Sequence, residues 1–241
     1  MKIEIRRRKL ADVPVLEHFA NDSRRLIFFQ HGIFGDKDRI AHLLSSSFVK
    51  KGYHVVSVDA RKHGARAEEP FLSKNKVASE LELFDVVEKT ALDIVKVHER
   101  FFVEKYSRFD ILGVSMGAYV AYRTSAVTER VETLIALLGS PDFSATAFNG
   151  FTEEDHEKHQ DRIAKERKRI DRMNPARDPG SLNFTRAILL SGKEDVIIPS
   201  KHTARFVEDL LGKDVVFRTY DTGHRIVRPM HKELLELLEP S

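Results

Sequence analysis

The sequence predicts an α/β protein, a mostly parallel eight-stranded sheet with helices on both faces and a short helical insertion near 140–183. Three observations carry this expectation. Short apolar runs recur along the chain, and most are followed by a segment of helical periodicity. A chain of 241 residues with 41% hydrophobic content can cover both faces of such a sheet in one domain, 1–241. The one long break in the alternation, at 140–183, has no low-complexity linker beside it, so it reads as a cap or lid within the domain.

Residues 2–10 and 13–19 alternate, with Pro14 and charges between, and suit a twisted antiparallel pair at a sheet edge. Residues 24–30 contain Leu26-Ile27-Phe28-Phe29, the continuous run expected of a strand buried on both faces. Residues 36–51 read as a helix with Ile40, Leu43, Leu44 and Phe48 on one side and Gly52 as its stop. A buried strand follows at 53–58. Residues 79–106 read as one long amphipathic helix marked by Leu81, Leu83, Phe84, Val87, Leu92, Val95 and Phe102. The apolar strand that runs into the turn at 113–117, its helix and strand 131–138 come next. After the insertion, the expected order is strand 186–191, helix 200–212, strand 215–220 and a last helix at 224–238.

Within the insertion, 152–173 is very polar, and Ile163 and Ile170 are its main apolar residues. So narrow a stripe predicts a loosely held helix. Phe143, Phe148 and Phe151 stand at its start. A lid over an apolar pocket and a surface helix beside ordinary core phenylalanines fit equally well.

The formal charge of +3 and pI near 9.0 are weak signals. The basic clusters at 6–9 and 162–172 are interleaved with or flanked by acids, which favours solvated surface over nucleic-acid binding. There is no cysteine, which excludes disulfides, cysteine-based zinc sites and thiol catalysis. The start of the chain has no apolar signal core and no segment approaches a membrane span, so a cytoplasmic protein is expected. His156 and His159 lie three apart beside Asp155 and Asp161; a solvated helix face is expected there, not a metal site.

The chemistry is concentrated at Gly113-Val114-Ser115-Met116-Gly117, between an apolar strand and a helix. This G-x-S-x-G turn lifts a serine hydroxyl clear of the sheet, and the glycines permit the close backbone approach the turn needs. A serine needs a base, and the base an orienting acid. His224, in Asp221-Thr222-Gly223-His224, is the expected base, although a capping or buried structural histidine would also suit the position. Asp195 is the expected acid, with Asp142, Glu194 and Asp221 as competitors. The oxyanion donors are expected to be the N–H groups of Met116 and Ile33, with Phe34 in reserve. His31 reads as a brace for its loop, and Asp59 and His63 as pins for the turn that carries them. Arg61 or Arg66 could bind an anionic substrate group.

Together these residues resemble the α/β-hydrolase superfamily, over nearly the whole length from His31-Gly32 to His224. Within it, His31-Gly-Ile-Phe-Gly-Asp-Lys, the Asp59-x-x-x-His-Gly turn and Gly192-Lys-Glu-Asp-Val-Ile-Ile-Pro are similar to small bacterial serine esterases of the dienelactone-hydrolase and prolyl-oligopeptidase-like group. Dienelactone hydrolases proper carry cysteine where this chain has Ser115, so their lactone substrate does not carry over. No β-propeller precedes the domain as in the large prolyl peptidases, so a peptidase role is less expected. The resemblance implies hydrolysis of a small-molecule ester through an acyl-enzyme, without metal or cofactor. Phe34, Phe143 and Phe148 are the expected pocket residues, with Phe71 nearby, and suggest short or medium acyl groups. A thioesterase, another triad hydrolase acting on amide or carbon–carbon bonds, and a hydrolase-like ligand receptor remain as alternatives.

Overall fold

The computed structural model describes residues 1–210 and 212–238. Residue 211, inside the helix expected at 200–212, and 239–241, at the end of the expected 1–241 domain, lie outside the described residues.

β1 (Glu4–Leu10) and β2 (Val13–Phe19) form an antiparallel pair at one edge, with Pro14 opposite Lys9. β2 pairs antiparallel with β4 (Tyr53–Val58), and every later pairing is parallel. With β3 (Arg25–Gln30), β5 (Phe109–Val114), β6 (Val131–Leu137), β7 (Arg186–Gly192) and β8 (Asp214–Tyr220), the described residues build an eight-stranded sheet in the order β1-β2-β4-β3-β5-β6-β7-β8.

The period of two divides each central strand between two cores. Phe28, Ile111, Leu134 and Leu189 face one core, while Ile27, Phe29, Leu112, Ile135 and Ile188 face the other. Continuous apolar runs result because both faces are covered. The first core is closed by α3 (Leu83–Phe101) and α4 (Met116–Val127). The second is closed by α1 (Lys37–Lys50) and α8 (Arg228–Leu237), through Ile40, Leu44, Phe48, Met230 and Leu234.

Several expected elements differ in detail. The helix expected at 79–106 is two: α2 (Lys76–Glu80), capped by Asn75 accepting from Ala78 N at 3.0 Å, and then α3. Turns follow α3 up to residue 106. Leu92 and Leu43, counted as core, are exposed. The polar stretch 152–173 also divides at His159, into α5 (Glu153–Lys158) and α6 (Gln160–Met173). α6 buries Met173 as well as Ile163 and Ile170, and its Arg169 reaches Asp85 and Glu88 of α3 at 2.7 and 3.1 Å. The next helix, α7 (Lys201–Glu208), is shorter than expected, and α8 starts at Arg228 because residues 224–227 form a loop.

Gly113 near the end of β5 and Gly117 in the first turn of α4 are pressed against backbone. A Cβ at Gly113 would lie 1.9 Å from Gly117 O, and one at Gly117 would lie 2.2 Å from Gln30 O. Since backbone cannot swing aside as a side chain does, Gly113→Ala is expected to cost about 2–3 kcal/mol or more. At Gly150 the nearest atom is the Glu80 carboxyl, at 3.5 Å, so Gly150→Ala should stay within about 0.5 kcal/mol of wild type. Denaturant midpoints of the two variants check the contrast.

Candidate active site

β5 ends at Val114, and α4 begins at Met116. The chain reverses in one residue, which forces Ser115 to φ 56° and ψ −118°. That left-handed conformation is costly for a residue with a Cβ. The turn is held by Ser115 N donating to Leu137 O on β6 at 2.9 Å and by Ala118 N donating to Ser115 O at 2.8 Å.

On the far side of the sheet's carboxyl edge, the loops after β7 and β8 are laced together. Lys193 N donates to Tyr220 O at 2.9 Å, and Glu194 N to Thr222 O at 3.1 Å. Gly192 permits this approach, since a Cβ there would meet Thr222 O at 2.4 Å. The lacing brings Asp195 and His224 together. Asp195 Oδ2 lies 2.7 Å from His224 Nδ1, and His224 Nε2 lies 2.8 Å from Ser115 Oγ. The Asp195 side chain is fully buried, and its Oδ1 accepts from Ile197 N at 3.0 Å and Ile198 N at 2.9 Å. These bonds fix the carboxylate's orientation and leave Oδ2 for the imidazole.

The competing acids are engaged elsewhere. Asp142 Oδ1 accepts from Ala145 N at 3.1 Å and from Asn174 Nδ2 at 3.2 Å. Asp221 pairs with Lys193 at 2.7 Å, and Glu194 is exposed.

The loop after β3 lies against the serine: a Cβ at Gly32 would sit 3.4 Å from Ser115 Cβ. Ile33 and Met116 line the same cavity as Ser115. Met116 opens α4, where the first N–H groups have no intrahelical acceptor and the helix dipole is positive. Both backbone donors expected from the sequence therefore come from segments that meet at Ser115.

His31 braces this loop. Ala60 N donates to its Nε2 at 3.1 Å, which leaves Nδ1–H to donate to Gly32 O at 2.8 Å. Burial pushes the imidazole down from 6.5 to about 4, against the opposing pull of the Gly32 carbonyl. A depressed histidine favours the fold above its unfolded pKa. The stabilisation is fully present above pH 6.5 and is lost as pH falls towards 4, by roughly 3 kcal/mol if the full shift applies. Unfolding free energies between pH 7 and 4 should therefore fall less steeply in His31→Gln than in wild type.

Asp59 pins the next loop, accepting from Lys37 N, Lys37 Nζ and Ala65 N, each at 2.9 Å. His63 Nδ1 lies 2.7 Å from Arg61 O in the same turn. Arg61 and Arg66 both pair with Asp93, at 2.7 and 2.8 Å, so they are committed to the scaffold.

A cavity of about 130 Å³ opens beside Ser115. Leu83, Phe84, Phe148, Ile197 and Ile198 supply most of its apolar wall, and Glu80, Tyr119 and Thr146 add polar groups. Of the three expected pocket phenylalanines only Phe148 lines it. Phe143 is fully buried behind the wall, 5.4 Å from the Phe84 ring and 5.0 Å from the Tyr119 ring. Phe34 turns at φ 58° towards Phe71, with ring centroids 6.4 Å apart. The aromatic content around the loops was legible, but the direction of each ring was not. Glu80, Tyr119 and the α3 residues were missed because no motif marks them.

Among the described residues, no group of three or more histidines and acids is placed to hold a metal ion, and no helix is long and apolar enough to cross a membrane. Asp155, beside His156, is occupied by a capping box with Thr152.

Sheet order, the strained serine turn and the laced loops behind it define a hydrolase architecture. The chain belongs to the alpha/beta hydrolase family, whose model it matches over residues 26–235. It is similar to esterase YjfP of Escherichia coli K12, with 26% identity over 149 residues, spanning 60% of this chain and 59% of that protein's length. Among solved structures, TT1662 from Thermus thermophilus aligns with a TM-score of 0.78 and 23% identity, covering 99% of this chain and 97% of that one. The esterase Pf2001 of Pyrococcus furiosus aligns with a TM-score of 0.65 and 19% identity, covering 98% and 88%. A puromycin-hydrolysing peptidase of Mycobacterium tuberculosis aligns with a TM-score of 0.72 and 17% identity, covering 97% of this chain and 38% of the peptidase. At these identities the structural matches carry the fold.

Proposed function

We propose that the chain is a serine carboxylesterase acting on short to medium acyl esters, with no cofactor and in a cytoplasmic setting. The observation that carries this reading is the unbroken path Asp195–His224–Ser115, with contacts of 2.7 and 2.8 Å, ending at a largely apolar cavity. The family and the esterase relative are consistent with it.

In this reading, Ser115 Oγ attacks the ester carbonyl while His224 Nε2 takes its proton. Asp195 holds Nδ1–H and offsets the charge of the imidazolium. The Ile33 and Met116 N–H groups stabilise the tetrahedral oxyanion. His224 then gives the proton to the leaving alcohol as the acyl-enzyme forms, and water repeats the sequence to release the acid. The acyl group occupies the cavity, and the segment 140–183 serves as its cap through Thr146, Ala147 and Phe148.

Nitrophenyl esters of acetate to decanoate test the reading. Turnover is expected to be best for acyl groups that a cavity of about 130 Å³ can hold and to fall for long chains. Folded protein that turns over none of them would overturn it. The pairing of Arg61 and Arg66 with Asp93 leaves that arginine pair committed to the scaffold, so simple esters should be favoured over acyl-CoA in kcat/KM.

A further inference from the structure

The acyl cavity contains a carboxyl group that the ester mechanism does not use. Glu80, the last residue of α2, lines the cavity together with Ser115. Its Oε2 is shielded from solvent and has no hydrogen-bond partner within the protein. Among the described residues no lysine, arginine or histidine forms an ion pair with it. Tyr119 and Thr146 line the same cavity, and their hydroxyls lie 2.7 Å from each other. The remaining walls are mainly apolar. A half-buried carboxylate with one shielded, unpartnered oxygen is costly unless a cation or donor meets it.

Resting on the esterase reading above, we propose that Glu80 is a specificity residue that binds an ammonium group on the acyl portion of the substrate, making aminoacyl esters the preferred class. The ammonium would donate to the Glu80 carboxylate once that side chain turns an oxygen into the cavity, and the Tyr119–Thr146 hydroxyl pair could accept a further hydrogen bond. The substrate's hydrocarbon would lie against Leu83, Phe84 and Phe148. Burial raises the carboxyl's pKa, with the Phe148 backbone N–H opposing the rise, so an incoming cation would relieve an existing cost. Glu80 takes no part in proton transfer; it selects which acyl group reaches Ser115.

The test compares nitrophenyl esters of alanine and 3-aminopropanoate with their methyl isosteres, isobutyrate and butanoate, and with their hydroxyl analogues, lactate and 3-hydroxypropanoate. The ratio of kcat/KM, amino over methyl, is measured in wild type and in Glu80→Gln. Intrinsic ester reactivity cancels between the two proteins. A charge-assisted contact of ordinary strength predicts that the ratio falls about 10–100-fold in the variant for at least one amino ester. Equal ratios in the two proteins would overturn the proposal, as would a larger change for the hydroxyl esters than for the amino esters. Turnover of the methyl esters without any amino preference would sink the role of Glu80 and leave the esterase reading standing. If no ester is turned over, or the variant does not fold, ligand-observed NMR of Ser115→Ala with alaninamide, 3-aminopropanamide, isobutyramide and butanamide decides the recognition separately. Binding at least 10-fold tighter for one amino amide than for its isostere supports the proposal, and equal binding refutes it.

Discussion

Ser115→Ala is expected to lower ester turnover by several orders of magnitude, on the order of 10⁶-fold if the triad acts as one unit. Backbone donors and the cavity would remain, leaving a residual acceleration of roughly 10³–10⁴ over water. His224→Ala should be about as damaging, because among the described residues His224 is the base that meets Ser115 Oγ, at 2.8 Å. Stability should move little, or upwards, on losing the hydroxyl. Ser115→Gly separates strain from chemistry. It should be as inactive as Ser115→Ala and yet more stable than wild type by about 1 kcal/mol, because φ 56° carries little penalty for glycine. Initial rates and denaturant midpoints on wild type and the three variants check all of this.

Asp195→Asn is expected to retain the fold and lose most turnover, about 10⁴-fold by analogy with the same change in other triads. An asparagine amide can turn its NH₂ towards His224 Nδ1, which favours the wrong tautomer. It also cannot balance the imidazolium that forms in the transition state. The two backbone bonds from Ile197 and Ile198 to Oδ1 can be kept by the amide carbonyl, so the loop should hold its shape. Asp142→Asn should stay near wild type in kcat, since that carboxylate holds Ala145 and Asn174 in the 140–183 segment and not the histidine. The reverse pattern in kcat would reassign the acid.

The sheet was legible because strands buried on both faces leave continuous apolar runs, as at Leu26–Phe29, and each alternates between the two cores. The serine turn was legible because its glycines follow from sterics that nothing else satisfies. The sequence favours Asp195 over Asp142 by its place beyond a strand, but spacing alone does not show which carboxylate reaches His224. That depends on the β7 and β8 loops being tied by Lys193 and Glu194, a tertiary fact. The division at 81–82 was hidden because the amphipathic pattern runs through it, with Leu81 and Phe84 both buried. Leu43 and Leu92 show the limit of reading an apolar residue as core, since a helix face wider than its contact leaves some of them exposed. In the pocket, composition indicated aromatic rings but could not say that Phe143 would support the wall while Phe148 formed it. Glu80 carries no sequence signature, because one acid on a short helix gives no sign of the cavity it faces.

The central claim is that Ser115 is an activated nucleophile. Reaction with a fluorophosphonate probe, followed by mass-spectrometric mapping of the modified peptide, tests it without any choice of substrate. The account predicts one stoichiometric adduct on Ser115 in the wild type and none in Ser115→Ala, with labelling greatly slowed in His224→Ala. Folded wild-type protein that remains unlabelled, or an adduct that maps to another residue, would contradict it.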